Sequence, residues 1–220
     1  MKIAVLGTGV VGQTIGSRLV EVGHEVKMGS RTADNEKAVE WVQKNGDRAS
    51  QGTFSDAARF GEIVFVCTKG EKTLEALTAA GAENIQSKIV VDVTNPLVMS
   101  QSGLPDLDPQ CINTNSLGEE IQKMFPDAQV VKTLNTMWCG LMVDPGQLNN
   151  GDHHVFISGN HSEAKATVLS ILGQFGWKQE NIIDLGDITT ARGTEMFLPL
   201  WLRIMKSQNA YRFNIKLVWE

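Results

Sequence analysis

Three glycines in Gly7-Thr8-Gly9-Val10-Val11-Gly12, set between a short apolar run and an amphipathic stretch, constrain this chain more than any other feature. Ile3 to Leu6 reads as a buried strand, and Val11, Ile15, Leu19 and Val22 recur at helical spacing until Gly23 stops the pattern. In a strand–loop–helix of this kind each glycine has a separate task. The first permits the tight turn, the second lets a pyrophosphate approach the backbone, and the third lets helix and strand pack closely. The start of the helix then presents unpaired N–H groups and a partial positive charge. Gly16, one turn on, extends the close packing. The hexapeptide therefore predicts a dinucleotide site of the Rossmann type; a tight turn without a ligand is the alternative.

Strand and helix patterns alternate along the rest of the chain, as in a parallel sheet with helices on both faces. Glu25 to Met28 reads as an edge-like strand, Asp34 to Val42 as a helix, and Thr53-Phe54 as a short strand before a helix beginning at Ser55. Ile63 to Cys67, Ile89 to Val93 and Gln129 to Leu134 are buried-strand patterns, with a helix over Lys72 to Ala80. Ser116 and Glu119 have the spacing of a capping box. Further on lie a strand at Val155 to Ser158, a helix at Glu163 to Phe175, a strand near Ile182-Ile183 and an apolar helix around Glu195 to Met205. Pro199 is expected to kink or interrupt that helix. The fold class is thus α/β, a Rossmann-type, doubly wound, mostly parallel sheet. Residues 1–136 form the nucleotide-binding domain, and 137–220 a smaller α/β lobe packed on it.

Composition narrows the partners. Apolar residues make up 42% of the chain and charged ones 20%, enough to build a core. A formal net charge of -5 without a basic stripe excludes nucleic acid and anionic membrane as main partners. Cys67, Cys111 and Cys139 contain no CxxC pair and suggest neither a disulfide framework nor a zinc site. The opening apolar run is too short for a signal peptide, and no run is long enough to span a bilayer, so a cytoplasmic protein is expected.

The second strand runs into Gly29-Ser30-Arg31-Thr32, where NAD-binding folds carry a carboxylate for the ribose 2′-hydroxyl. A guanidinium and two hydroxyls there suit the 2′-phosphate of NADP, and the missing carboxylate removes a repulsion against it. Lys37 offers a second cation. In the competing reading, Ser30 and Thr32 cap the next helix and Arg31 is a solvated charge.

Ligands on an open parallel sheet lie across the carboxyl ends of its strands. The candidates there are Cys67, Thr68 and Lys69; Thr94, Asn95, Pro96 and Leu97; and Asn135, Thr136, Met137 and Cys139. Asn95 and Asn135 offer amides to a carboxamide or ribose, unless they only bond their own turns. All four histidines, His24, His153, His154 and His161, read as surface residues. No acid–base set or metal cluster emerges, so no catalytic side chain is assigned. That weakly favours hydride transfer between two aligned rings over reduction of a carbonyl.

Several segments carry a resemblance: the glycine loop, Gly29 to Thr32, Val91-Asp92-Val93-Thr94-Asn95-Pro96-Leu97, Val130 to Thr136, and Arg192-Gly193-Thr194-Glu195. Through them the chain resembles the deazaflavin (coenzyme F-420) dependent NADP reductases, and it is similar to the cytosolic reductase domain of the six-transmembrane metalloreductases. The resemblance implies Thr8 to Val11 at the pyrophosphate and Ser30 with Arg31 at the 2′-phosphate. It also implies backbone from Met137 to Cys139 at the nicotinamide carboxamide and a flavin or deazaflavin as second substrate stacked on the nicotinamide. Separately, a homodimer is expected. Lys69-Gly70, Met137-Trp138 and the stretch Leu198 to Arg203 depart from the archaeal pattern, which leaves the acceptor open. Phe197 and Trp201 are expected in buried core, in a dimer contact, or in one wall of the acceptor pocket. A non-catalytic NADP sensor and a small imine or hydroxyacid reductase are the alternative functions; the short C-terminal lobe disfavours the latter.

Overall fold

In a computed structural model, which describes residues 1–100 and 103–220, the glycine loop leaves a central strand. That strand is β1 (Lys2–Leu6), with β2 (Glu25–Ser30) parallel on one side and β4 (Ile63–Val66) parallel on the other. Beyond β2 lies β3 (Ala49–Thr53), and beyond β4 lie β5 (Ile89–Asp92) and β8 (Gln129–Thr133), all parallel. β9 (Val155–Gly159) then joins β8 antiparallel, and β10 (Ile182–Gly186) joins β9 in parallel. The eight strands run in the order β10-β9-β8-β5-β4-β1-β2-β3, so the strands after residue 137 continue the same sheet. A separate two-residue pairing, β6 (Leu97–Val98) with β7 (Asp106–Leu107), lies just past β5.

Helices cover both faces, because the central strands are apolar on both sides. On one face α1 (Val10–Glu21), α2 (Glu36–Asn45), α6 (Cys139–Val143) and α7 (Ser162–Phe175) bury Ile15, Leu19, Trp41, Leu141, Val168 and Ile171. On the other, α3 (Phe54–Phe60), α4 (Thr73–Ala80) and α5 (Leu117–Met124) bury Ala57, Leu77 and Ile121. The last helix, α8 (Ala191–Gln208), builds a third cluster from Leu198, Trp201 and Leu202, against which Leu97, Trp138, Phe197 and Phe213 pack. Among the described residues no helix is long and apolar enough to cross a membrane.

Several sequence expectations change. The strand expected at the sheet edge, β2, lies between β1 and β3, and β3 is the edge. Phe54 is not in a strand: Thr53 ends β3 and caps α3, its hydroxyl accepting from Asp56 N while Asp56 Oδ2 accepts from Thr53 N. Ser116 does cap α5 through Glu119 N, but the Glu119 carboxylate turns to Arg192 instead of closing the box. Pro199 does not interrupt α8, which runs through it from Ala191 to Gln208 with Leu198, Trp201 and Leu202 packed in one cluster.

Three of the four histidines are buried, not on the surface. His24 Nε2 lies 2.7 Å from Gln174 Oε1. His153 and His154 are covered by the chain beyond α8, which crosses this edge of the sheet. Asn214 Nδ2 donates to His153 Nδ1 and to the His154 carbonyl, Leu217 N donates to His154 Nδ1, and His154 N donates to Ile215 O. Only His161 is exposed.

Candidate active site

The carboxyl ends of β1, β4, β5 and β8 are adjacent, and most of the residues expected at a ligand site follow directly from them. Gly7 has φ +123°, a left-handed conformation that suits only glycine, and its N–H donates to Gly29 O. A Cβ on Gly7 would lie 2.6 Å from the Cys67 carbonyl oxygen. One on Gly12 would lie 2.0 Å from the Gly7 carbonyl oxygen. Both glycines are therefore required by the fold itself. Gly9 is different: a Cβ there would meet nothing within 4 Å. It precedes α1 without any side-chain cap, Thr8 is half-buried, and Val10 is 70% exposed. The amino end of α1 thus opens onto a cradle that the protein leaves clear, as close approach by a pyrophosphate demands. Gly16 gives way to the Trp41 ring, whose Nε1 donates to Ser17 Oγ.

At the end of β2, Ser30 is buried and its hydroxyl donates to Thr32 O, while Arg31 and Thr32 are exposed. Asn35, not Ser30 or Thr32, caps α2 by accepting from Ala38 N. Among the described residues the Arg31 guanidinium has no hydrogen bond or ion pair, and neither has Lys37 in the first turn of α2. Asn35 thus takes the capping role of that alternative, while Arg31 and Lys37 are exposed and unpaired among the described residues.

After β4, Cys67 N donates to Leu6 O and the thiol is buried; burial, with Asp92 nearby, pushes it far above the ordinary cysteine range, so it stays a neutral packing group. Thr68 Oγ1 lies 2.9 Å from Thr73 Oγ1, and Lys69 is exposed. Gly70 lets the next loop come close: a Cβ there would stand 1.9 Å from Asn95 O.

The loops after β5 and β8 are tied to one another. Asn95 Nδ2 donates to Asn135 O at 2.8 Å, and Asn135 Nδ2 donates to Asn95 Oδ1 at 2.9 Å. The amides thus bond across two loops instead of within their own turns. Leu134, buried with φ +64°, supplies the sharp turn that sends Asn135, Thr136 and Met137 along the strand ends. Thr136 is 2% exposed, and its hydroxyl has no hydrogen-bond partner among the described residues. An unpaired buried hydroxyl is costly, and here it sits in the segment expected at the nicotinamide. Cys139 Sγ accepts from Thr14 Oγ1 at 3.8 Å, joining this segment back to α1. The Trp138 ring lies over Gly140, with Tyr211 edge-on at 5.1 Å and the Arg212 guanidinium at 5.2 Å. Thr94, Pro96 and Met137 are buried, while Leu97 is half-buried. A cavity of about 210 Å³ opens beside Pro96 and Leu97, lined also by Gly70, Leu74 and Cys111. A cavity of about 350 Å³ between α3 and the β2–β3 edge shares no residue with the candidate set.

Beneath these loops lies a group that sequence reasoning missed. The Lys132 ammonium, 1% exposed, donates to Asp92 Oδ2 (2.9 Å) and Thr94 O (2.6 Å) and pairs with Glu195 Oε1 (2.7 Å). Burial alone would lower its pKa, but the two carboxylates more than reverse this and raise it. The signal was present in the sequence, as a lysine inside the apolar run Val130 to Leu134 must find buried partners.

Comparison with known proteins bears on the same residues. Residues 2–96 match the family model described as NADP oxidoreductase, coenzyme F420-dependent. The crystal structure of a candidate F420-dependent NADP reductase from Arthrobacter sp. FB24 is 47% identical, covers 100% of both chains and has a TM-score of 0.92. The F420-dependent NADP reductase of Methanothermobacter marburgensis is 25% identical over 217 residues, 93% of this chain and 92% of that protein. Metalloreductase STEAP3 of Rattus norvegicus is 28% identical over 207 residues, 91% of this chain. The chain spans 38% of that metalloreductase's length.

Proposed function

The chain belongs to the family of coenzyme F420-dependent NADP oxidoreductases, and from that premise we propose that it moves a hydride between the nicotinamide of NADP(H) and a flavin- or deazaflavin-like ring laid against it. It is an NADP-dependent oxidoreductase. The observation that carries the finer reading is a run of unsatisfied groups along one edge of the sheet. The cradle at Gly9, the unpaired Arg31 and the buried Thr136 hydroxyl each lack something that an extended, anionic, amide-bearing cofactor has.

In this reading Thr8 to Gly12 hold the pyrophosphate on the free N–H groups of α1. Ser30, Arg31 and Thr32, aided by Lys37, hold the 2′-phosphate, with Arg31 forked onto its oxygens. Cys67, Thr68 and Lys69 and the tied loops Thr94 to Leu97 and Asn135 to Cys139 form the floor under the nicotinamide half. Thr136 offers its hydroxyl there. When bound, NADPH supplies a hydride, so the chain's own part is alignment of two planar rings and exclusion of water, with Trp138 at the mouth.

The test is a panel of acceptors (a deazaflavin, FMN, FAD and quinones) mixed with the protein and NADPH, followed by loss of the NADPH absorbance. Turnover with the deazaflavin or a flavin is expected. Tight NADPH binding with turnover by none of them would leave the chain a binder, not a reductase of such rings.

A further inference from the structure

The Lys132 network touches none of the residues proposed to meet the phosphates, yet it joins four elements under the opposite half of the site. Asp92, at the end of β5, accepts from Thr94 N and Thr94 Oγ1 on Oδ1, and from Lys132 on Oδ2. Lys132, near the end of β8, also holds the Thr94 carbonyl. Glu195, 0% exposed on α8, accepts from Leu117 N at 2.8 Å and Gly118 N at 3.1 Å in the first turn of α5, as well as from Lys132. Each carboxylate is thus met only by donors. Glu195 lies between the Lys132 ammonium and the amino end of α5 with its partial positive charge.

The two strand residues in this network stand three positions before Asn95 and Asn135, the pair that ties the loops together. Glu195 stands two positions before Phe197 and six before Trp201, which pack with Trp138 and Leu97. Among the described residues Glu195–Lys132 ties the body of α8 to the eight-stranded sheet, while its N-cap residue Thr190 donates to Ser158 Oγ of β9; the other α8 ion pairs, Arg192–Glu119 and Arg203–Asp106, reach α5 and β7.

We infer that Glu195 is a positioning residue that registers α8, and with it Trp201 and Phe197, against the Trp138 segment, so that it governs the acceptor side of the site and not the NADP(H) side. This rests on the hydride-transfer reading above. A scaffold residue would weaken both sides together, whereas a register pin acts on one. The geometry favours the pin, because the contacts of Glu195 run to α5 and Lys132 and none runs to the glycine loop or the Ser30 corner.

The test uses the full chain with Glu195→Gln, which keeps an oxygen for Lys132, and Glu195→Ala, which removes it. The NADPH Kd should stay within about threefold in both, measured by quenching of protein fluorescence. The acceptor KM should rise and kcat/KM fall by at least about tenfold in Glu195→Ala, and Gln should recover most of the loss. Parallel losses in NADPH Kd and acceptor kcat/KM, or no loss for the acceptor, would overturn the inference. Should Glu195→Ala fail to fold, Trp201→Phe must reproduce the acceptor-selective loss; a loss shared equally with NADPH would sink the inference. An activity-free arm separates this from the functional reading. In protein labelled with 5-fluorotryptophan, Glu195→Gln should shift the Trp138 and Trp201 resonances and leave Trp41 and Trp177 in place. If no acceptor turns over but those two resonances move, the pin stands and the assigned acceptor class falls. If acceptors turn over and the resonances stay, the pin falls alone.

Discussion

A Cβ placed on Gly12 lies 2.0 Å from the carbonyl oxygen of Gly7, whereas the same atom on Gly9, three residues earlier, meets nothing. Two glycines of one loop therefore answer to different demands. Gly12→Ala has to push the turn off β1 and should lower stability by about 1–3 kcal/mol, read as a drop in Tm, together with loss of NADPH binding. Gly9→Ala should keep the wild-type Tm and still weaken NADPH by about tenfold or more, because only the bound pyrophosphate needs that space. A Tm loss in Gly9→Ala equal to that in Gly12→Ala would contradict this division.

Among the described residues Arg31 has no partner, so its removal costs the fold little. Arg31→Ala should leave Tm unchanged and weaken NADPH by about 1.5–3 kcal/mol, the range for a charge-assisted hydrogen bond, or roughly ten- to 100-fold. NADH binding should change far less. Equal losses for the two nucleotides would remove the 2′-phosphate from this corner.

The Thr136 hydroxyl is buried and unpaired. Thr136→Val keeps the shape and removes the unpaired group, so the unliganded protein should be as stable as wild type or gain up to about 1 kcal/mol. NADPH affinity should fall severalfold. Thermal unfolding with and without NADPH measures both; a stability loss without the ligand would mean that the hydroxyl has a partner after all.

The chain beyond α8 is held by His153 and His154, by the Lys216–Asp152 ion pair and by the rings of Tyr211 and Phe213. His154→Phe removes the acceptor for Leu217 N and should loosen that segment. Trypsin should then cleave after Arg212 several times faster than in wild type, with the sheet intact by circular dichroism. Unchanged cleavage kinetics would show that the Leu217–His154 hydrogen bond is dispensable and that the remaining contacts, the Lys216–Asp152 ion pair among them, hold the segment.

Asp56 has its carboxyl held below the usual carboxylate range by the hydroxyl and backbone N–H of Thr53. A depressed folded-state pKa adds stability above the ordinary value of about 4, and that contribution is lost as pH falls through the lower folded-state value. The Tm gap between wild type and Asp56→Asn should therefore be widest near neutral pH and shrink as pH falls below the ordinary carboxylate value. A gap that widens in acid would reverse the assignment.

Much of this was legible in the sequence because it is local. The glycine loop, the absent carboxylate after β2 and the buried-strand runs are short patterns with one dominant physical cause each, and they locate the strand ends that line the site. What was not legible depends on pairings between distant segments. His153 and His154 look like surface residues until the chain sixty positions later folds over them. Pro199 is expected to kink or interrupt its helix, yet α8 runs on past it with Leu198, Trp201 and Leu202 packed in one cluster. Asn95 and Asn135 offer themselves as ligand groups, but which partner they choose is decided by a 40-residue separation closing in space. Lys132 announced that it needed partners without saying which.

That last group also sets the order in which this protein could change. Losing Lys132 leaves two buried carboxyls without their cation, a penalty of about 3–5 kcal/mol, whereas losing Glu195 or Asp92 still leaves one carboxylate against the ammonium. The three positions are therefore unequal, and the triad admits change in one order, with a carboxylate going first and the lysine following.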